Sequence, residues 1–273
     1  MTPSEHYRIT STDCENVRSD NLWISGRRPV RDPQARLFCL PYAGGGTTIF
    51  HAWPDRLPNA VEVCPIALPG RENRIREKAF DRLPPLVEAL AAAIHPYLDK
   101  PFALFGHSMG ALIAFELTRY LRERRYPMPY QLVVSAARAP HCRSSTAKIH
   151  VLPDHEFTQQ LRLLRGTSEA VLQNEELMQL LLPVLRADFA ICEEYVYNAD
   201  APLDCPITVY AGRDDQEIGS DLLHAWSEQT RGIFRLRMFP GDHFYLLTAR
   251  EKLLRAIGDD LRVSLPDYEL SGD

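Results

Sequence analysis

Phe102-Ala103-Leu104-Phe105-Gly106-His107-Ser108-Met109-Gly110-Ala111-Leu112-Ile113-Ala114-Phe115-Glu116 decides the fold. An apolar run suited to a buried strand stops at a glycine, presents a serine, turns on a second glycine and continues with apolar residues at helical spacing. This is the G-x-S-x-G nucleophile elbow, in which a strained strand-to-helix turn lifts a serine hydroxyl clear of a sheet. Bulky residues at Gly106 or Gly110 would collide with the crossing elements. The five-residue pattern arises by chance in about one chain of this length in ten, so the flanking strand and helix carry the argument.

Further strands are predicted at Arg36–Leu40, Val61–Leu68, Leu132–Ala137, Pro206–Ala211 and Phe234–Phe239. Helical patterns separate several of them: 83–98, with Pro84 and Pro85 tolerated in the first turn, and 109–125 behind the elbow. Strands alternating with helices give an α/β fold with a mostly parallel central sheet flanked by helices. Between Ala137 and Pro206 no strand is evident. Apolar residues at helical spacing predict three helices there, at 156–164, 175–185 and 186–197. So long an insertion at one sheet edge reads equally as a lid over the elbow or as a separately packed helical subdomain. The expected organisation is an N-terminal arm over 1–34 that docks through Trp23, with its first dozen residues poorly ordered. A core over 35–137 and 206–265, a helical lid insertion over 138–205 and a tail over 266–273 complete it.

Composition excludes several classes of function. The 273 residues are 45% hydrophobic and 25% charged with a net charge of −5. No basic stripe interleaved with aromatics points to nucleic acid, and no apolar run approaches the roughly 20 residues of a transmembrane helix. The polar N-terminus lacks the apolar segment of a signal peptide, so a cytoplasmic location is expected. Six cysteines, at 14, 39, 64, 142, 192 and 205, form no C-x-x-C pair and no metal-like grouping with histidine. Cys39 and Cys64, inside apolar strand-like runs, read as small core residues of a reducing compartment.

A serine hydroxyl needs a base to take its proton, and the base needs an orienting acid. In α/β-hydrolases the chain order is Ser, then Asp or Glu, then His. After the strand ending at Ala211 comes Gly212-Arg213-Asp214-Asp215, and after the strand ending at Phe239 comes Pro240-Gly241-Asp242-His243. Parallel strands gather their carboxyl ends on one side. That brings Ser108, one of the two aspartates and His243 together. His107 flanks the serine but points to the other side of the turn, and His51, His95, His141, His150, His155 and His224 lack a post-strand context; all are structural by default. The loop Tyr42-Ala43-Gly44-Gly45-Gly46 follows the first strand. It lacks the lysine of a phosphate-binding loop, which leaves a flexible turn or the second half of an oxyanion hole.

Five segments together resemble the type II thioesterases of nonribosomal peptide and polyketide synthases: Leu40-Pro41-Tyr42-Ala43-Gly44-Gly45-Gly46, Leu68-Pro69-Gly70-Arg71, Gly106-His107-Ser108-Met109-Gly110, Gly212-Arg213-Asp214-Asp215 and Gly241-Asp242-His243-Phe244. The resemblance spans roughly residues 23 to 260. It implies an α/β-hydrolase fold with a helical lid and hydrolysis of acyl or aminoacyl thioesters from the phosphopantetheine arm of carrier domains. It also implies a proofreading task, with release of finished product as the alternative. Carried over by position, Ser108 is the nucleophile and His243 the base. Asp215 is the acid because the family motif commonly reads G-x-x-D, although Gln216 stands where that motif often has proline. The backbone N–H groups of Ala43 and Met109 form the oxyanion hole. No metal or soluble cofactor is implied; the partners are acyl or peptidyl carrier domains, and the chain is expected to be a monomer.

Charge complementarity makes Arg71, Arg74 and Arg76, or Arg27, Arg28 and Arg31, the expected docking surface for an acidic carrier domain. Arg119, Arg122, Arg124 and Arg125 at the end of the elbow helix read instead as a solvated face that favours the helix dipole. Two rival functions share the scaffold. A carboxylesterase or lipase is disfavoured because the glycine loop is not of the HGGG type, and a non-catalytic binding protein is disfavoured by the intact Ser, Asp and His.

Overall fold

Strand alternation assigns each apolar residue to one of two layers, and the layers are seen in the computed structural model, which describes residues 21–142 and 147–264. Six strands, β1 (Ala35–Leu40), β2 (Val61–Pro65), β3 (Phe102–His107), β4 (Gln131–Ser135), β5 (Ile207–Gly212) and β6 (Phe234–Phe239), form one sheet in the order β2-β1-β3-β4-β5-β6. Every neighbouring pair is parallel. Register aligns Phe38 with Leu104, Leu104 with Leu132 and Leu132 with Ile207. All four belong to the core on one face. Leu37, Ala103, Phe105 and Val133 point into the core on the other. Strands buried on both sides read as continuous apolar runs, which is why the sequence shows them so clearly.

Helices α1 (Leu83–Ile94) and α2 (Met109–Glu123) cover the first face, burying Leu86, Leu90, Ile94, Ile113 and Leu117. The second face is covered by Phe50, Trp53 and the C-terminal helix that buries Leu253, Leu254 and Ile257. Helix α1 ends at Ile94 and passes into a 3₁₀ turn over His95–Tyr97, earlier than the pattern predicts, because Pro96 cannot continue the ladder. At the β2 edge the segment from Asn21 runs alongside the sheet. Ile24 bridges to Ile66, the Ala67 N–H donates to the Trp23 carbonyl, and the Arg74 guanidinium lies 4.3 Å over the Trp23 ring. The expectations for the first dozen residues, for Cys14 and for the 266–273 tail lie outside the described residues.

Between β4 and β5 lie α3 (Asp154–Leu164), α4 (Glu169–Leu172) and α5 (Glu175–Glu193). Here the structure corrects one expectation: 175–185 and 186–197 are not two helices but one, running through Pro183. Asn174 caps its start by accepting the Leu177 N–H. Packing on both sides of the proline outweighs the single lost backbone hydrogen bond. Met178 and Leu185 join a small cluster with Phe157 and Leu161, while Ile191 enters the main core. Arg119 and Arg122 are not a freely solvated face either. Arg122 pairs with Asp200 at 2.6 Å and Arg119 donates to the Asn198 carbonyl at 2.7 Å, tying the end of α2 to the chain leaving the insertion. Among the described residues no helix is long and apolar enough to cross a membrane.

Candidate active site

The strand order places β1 beside β3 and β5 beside β6, so the loops after these four strands crowd the same carboxyl edge. Ser108 sits between β3 and α2 with φ 55° and ψ −116°, a backbone conformation that costs a non-glycine residue on the order of 1–3 kcal/mol. Its N–H donates to the Ser135 carbonyl at 2.8 Å and its carbonyl accepts from the Ala111 N–H at 2.9 Å. The flanking glycines are steric necessities. A Cβ at Gly106 would lie 2.1 Å from the Gly110 carbonyl oxygen, and one at Gly110 would lie 2.3 Å from that of Leu40. Among the described residues the half-buried Ser108 hydroxyl has no hydrogen-bond partner.

Asp215 and His243 meet across the β5–β6 edge. The His243 Nδ1 lies 2.9 Å from Asp215 Oδ2, and the other carboxylate oxygen accepts the Glu217 N–H at 2.9 Å. The Asp215 side chain is 1% exposed and that of His243 11%. Asp214 turns outward to solvent, where its carboxylate accepts the Gly241 N–H. Burial alone would disfavour a charged His243. The hydrogen bond to Asp215 and the carboxylates of Glu217, Asp215 and Asp242 outweigh it, holding its pKa above the ordinary value.

Among the described residues neither the Ala43 N–H nor the Met109 N–H has a hydrogen-bond partner. Both are therefore available to an incoming oxygen. The glycine loop is braced by consecutive residues, Arg71 and Glu72. Glu72 accepts the Thr47 N–H at 2.9 Å, the Thr47 hydroxyl at 2.7 Å and the Thr48 N–H at 3.1 Å. Burial works against this carboxylate, but the Thr47 and Thr48 donors prevail and keep its pKa below the usual range. Arg71 forms a bidentate pair with Asp188 of α5, both distances 2.7 Å, and donates to the Gly45 carbonyl. Asp188 in turn accepts the Gly44 N–H at 2.7 Å.

These contacts overturn part of the expected carrier-docking surface. Arg71 and Arg74 are 6% and 5% exposed and engaged internally, Arg74 with Glu77 and the Ala67 carbonyl. Arg27 is half-buried against Glu62, and Arg28 pairs with Asp55. Of the six arginines, Arg31 and Arg76 are the exposed ones without a described ion-pair partner.

His107, structural by its sequence context, touches the candidate site. It is fully buried, with Nε2 3.0 Å from the His243 carbonyl oxygen and Nδ1 2.8 Å from the Ser135 hydroxyl. A carbonyl can only accept, so Nε2 carries the proton and Nδ1 accepts from Ser135, whose oxygen then accepts from the Tyr245 hydroxyl. Burial first, then the neighbouring His243, pushes the His107 pKa well below the ordinary value and keeps this chain neutral. A usable signal was present: alternation along β3 puts His107 on the face of Ala103 and Phe105, the face that also buries Tyr245.

Known proteins are similar to this chain in sequence and in fold. The chain is 44% identical over 245 residues to the gramicidin S biosynthesis protein GrsT of Aneurinibacillus migulanus, covering 90% of this chain and 96% of that protein. It is 37% identical over 250 residues to the thioesterase PikA5 of Streptomyces venezuelae, covering 91% and 88%. Among solved structures, the RedJ thioesterase of the prodiginine pathway of Streptomyces coelicolor superposes with a TM-score of 0.78 at 40% identity, covering 85% of this chain and 95% of that one. The family model described as "Thioesterase domain" matches residues 35–261. With more than four fifths of its length inside that match, the chain belongs to the thioesterase domain family.

Proposed function

We propose that the protein is a type II thioesterase that hydrolyses acyl or aminoacyl thioesters from the phosphopantetheine arm of carrier domains, clearing blocked arms of a peptide or polyketide synthase. The observation that carries this reading is the buried Asp215–His243 pair on the same carboxyl edge of the sheet as the strained Ser108 elbow, together with Ala43 and Met109 N–H groups that have no hydrogen-bond partner among the described residues. In this assignment Nδ1–H of His243 donates to Asp215, leaving Nε2 free to take the Ser108 proton as Oγ attacks the thioester carbonyl. The Ala43 and Met109 N–H groups receive the oxyanion, each such donor being worth about 10²–10³ in rate. The tetrahedral intermediate collapses as the C–S bond breaks, with His243 returning the proton to the departing pantetheine sulfur. Water, deprotonated by His243, then releases the acid from Ser108. Asp215 stays ionised throughout and stabilises the imidazolium. No metal or further cofactor enters these steps, since the pantetheine arrives with the substrate.

Residues 138–205 form the lid in this reading, and the exposed Arg31 and Arg76 are what remains of the expected basic docking surface. The relatives named for gramicidin S biosynthesis, for PikA5 and for the prodiginine pathway support a place in such assembly lines. The test is hydrolysis of a panel of acyl groups on a carrier protein, on coenzyme A and as oxygen esters. Carrier-bound thioesters should be preferred, and Ser108→Ala should abolish turnover and labelling by a fluorophosphonate while leaving the thermal melt in place. Turnover by a well-folded Ser108→Ala variant would remove the assignment.

A further inference from the structure

The Ala43 N–H can serve an oxyanion only if its peptide plane is held, and three consecutive glycines follow it. What holds the plane is traceable. The Ala43 N–H and the Tyr42 carbonyl belong to one peptide and point in opposite directions. The Tyr42 carbonyl accepts the Gly45 N–H at 2.8 Å, which closes a turn over 42–45 and aims the Ala43 N–H the other way. Two further polar groups of that turn are taken by one buried ion pair. Asp188 accepts the Gly44 N–H at 2.7 Å, and Arg71 donates to the Gly45 carbonyl at 3.1 Å. Gly44 itself adopts φ +78°, and a Cβ there would lie 2.6 Å from Leu185 Cδ2, so α5 is wedged against the turn by a side chain one helical turn before Asp188.

We infer that Asp188 and Arg71 are positioning residues that make the oxyanion hole conditional on the seating of α5: the Ala43 N–H is aimed at the reacting carbonyl while Asp188 holds the Gly44 N–H, and loses that aim when the helix lifts. The inference rests on the proposed roles of Ala43 and of the 138–205 lid. Asp188 lies on the lid helix and Arg71 on the core, and they are 117 residues apart in the chain, so their bidentate contact joins the two bodies at the loop that completes the site. The carboxylate is 1% exposed and the guanidinium 6%. Moving α5 away would strand both charges and the Gly44 donor together, so lid seating and loop geometry change as one event. A lid that merely covers the serine needs no contact with the Gly44 peptide; this one makes it with the same oxygen that receives Arg71 Nη1.

The experiment separates a latch from a positioning device by using a small acyl-pantetheine thioester, which removes carrier docking from the measurement. Asp188→Leu is paired with Arg71→Met, so that the double variant buries no lone charge. Asp188→Asn is the companion that keeps an acceptor for Gly44. Melting temperature, kcat, KM and inhibition by a trifluoromethyl ketone analogue of the substrate are read for each. The double variant should melt near the wild type, yet lose about a hundredfold in kcat with KM changed less than about threefold, the signature of a lost transition-state donor. Trifluoromethyl ketone affinity should fall in parallel, because its adduct places an oxyanion in the same hole. Asp188→Asn should lose less than Asp188→Leu. Recovery of both stability and kcat in the double variant would make the pair a latch only and overturn the inference, as would equal losses for Asp188→Asn and Asp188→Leu. A wild-type chain that failed to turn over the thioester would instead remove the proposed function itself.

Discussion

Asp215→Asn and Asp214→Asn form the sharpest pair of perturbations, because adjacent carboxylates of the same type are offered different partners. At Asp215 both oxygens are committed, one to the Glu217 N–H and one to His243 Nδ1, each at 2.9 Å. An asparagine must choose. With its oxygen toward the Glu217 N–H, its NH₂ faces Nδ1, which then has to accept, and the histidine proton moves to Nε2, where it blocks transfer from Ser108. The opposite flip restores the productive tautomer but sets NH₂ against the Glu217 N–H. Because Glu217 is exposed and water can relieve that clash, this costs about 1 kcal/mol, a roughly fivefold bias toward the wrong tautomer. The larger loss is the carboxylate charge that stabilises the imidazolium in the transition state, so the combined effect should be about 10³–10⁴ in kcat. Asp214→Asn should stay within about threefold, since its exposed carboxylate accepts a single N–H that an amide oxygen also accepts. The assay is thiol release from a saturating acyl-pantetheine thioester, with thermal melts to verify folding. A loss under tenfold for Asp215→Asn, or a larger loss for Asp214→Asn, would refute the assignment of the acid.

Three other outcomes follow from the same geometry. Because His243 must be neutral to act and its pKa is raised, kcat/KM should fall as pH drops through a limb lying above the ordinary 6.5 of histidine, and Asp215→Asn should move that limb down; a wild-type limb well below 6.5 would contradict the described environment. Gly110→Ala drives a Cβ to 2.3 Å from the Leu40 carbonyl oxygen and 2.7 Å from that of Pro41, so urea denaturation should show a loss of about 1–3 kcal/mol as α2 is pushed off the β1 edge, with kcat reduced as well; a neutral effect on both would mean that the elbow can open without cost. His107→Leu leaves the His243 carbonyl and the Ser135 hydroxyl without their imidazole partner, at about 1–3 kcal/mol for each group left unpaired; unchanged stability by the same measurement would show that the buried chain of hydrogen bonds does not hold the His243 loop.

Legibility in the sequence followed the range of the interactions concerned. Strands buried on both faces announce themselves as unbroken apolar runs, and the elbow needs only Gly106, Ser108 and Gly110 in one short stretch, so the sheet and Ser108 could be read directly. The choice of Asp215 over Asp214 could not. It depends on which residue leaving β5 turns toward β6, and only the family motif favoured it beforehand. The arginine-rich loop misled for a similar reason: Arg71 and Arg74 look identical to Arg76 in a list of charges, and the pairing of Arg71 with a helix residue 117 positions away and the stacking of Arg74 on Trp23 are invisible locally.

The partner of Arg71 nevertheless left a mark that a closer reading could use. Val184, Leu185, Asp188 and Ile191 fall at helical spacing and are all buried on α5, so the aspartate sits on the apolar stripe of its helix, not beside it. An ionised carboxylate on such a stripe is too costly to bury alone and demands a cation and further donors from elsewhere in the chain. Arg36 and Glu62 obey the same rule on β1 and β2, where both are at most 3% exposed and paired at 2.8 Å within otherwise apolar strands. There the partners are register neighbours and the pair holds an edge of the sheet together. At Asp188 the demand is met by a guanidinium and by the backbone of the glycine loop, which joins the insertion to the carboxyl edge of the sheet. A charge on the apolar stripe of a helix therefore marks a place where the insertion, legible in the sequence only as a helical cover, contacts the glycine loop after β1.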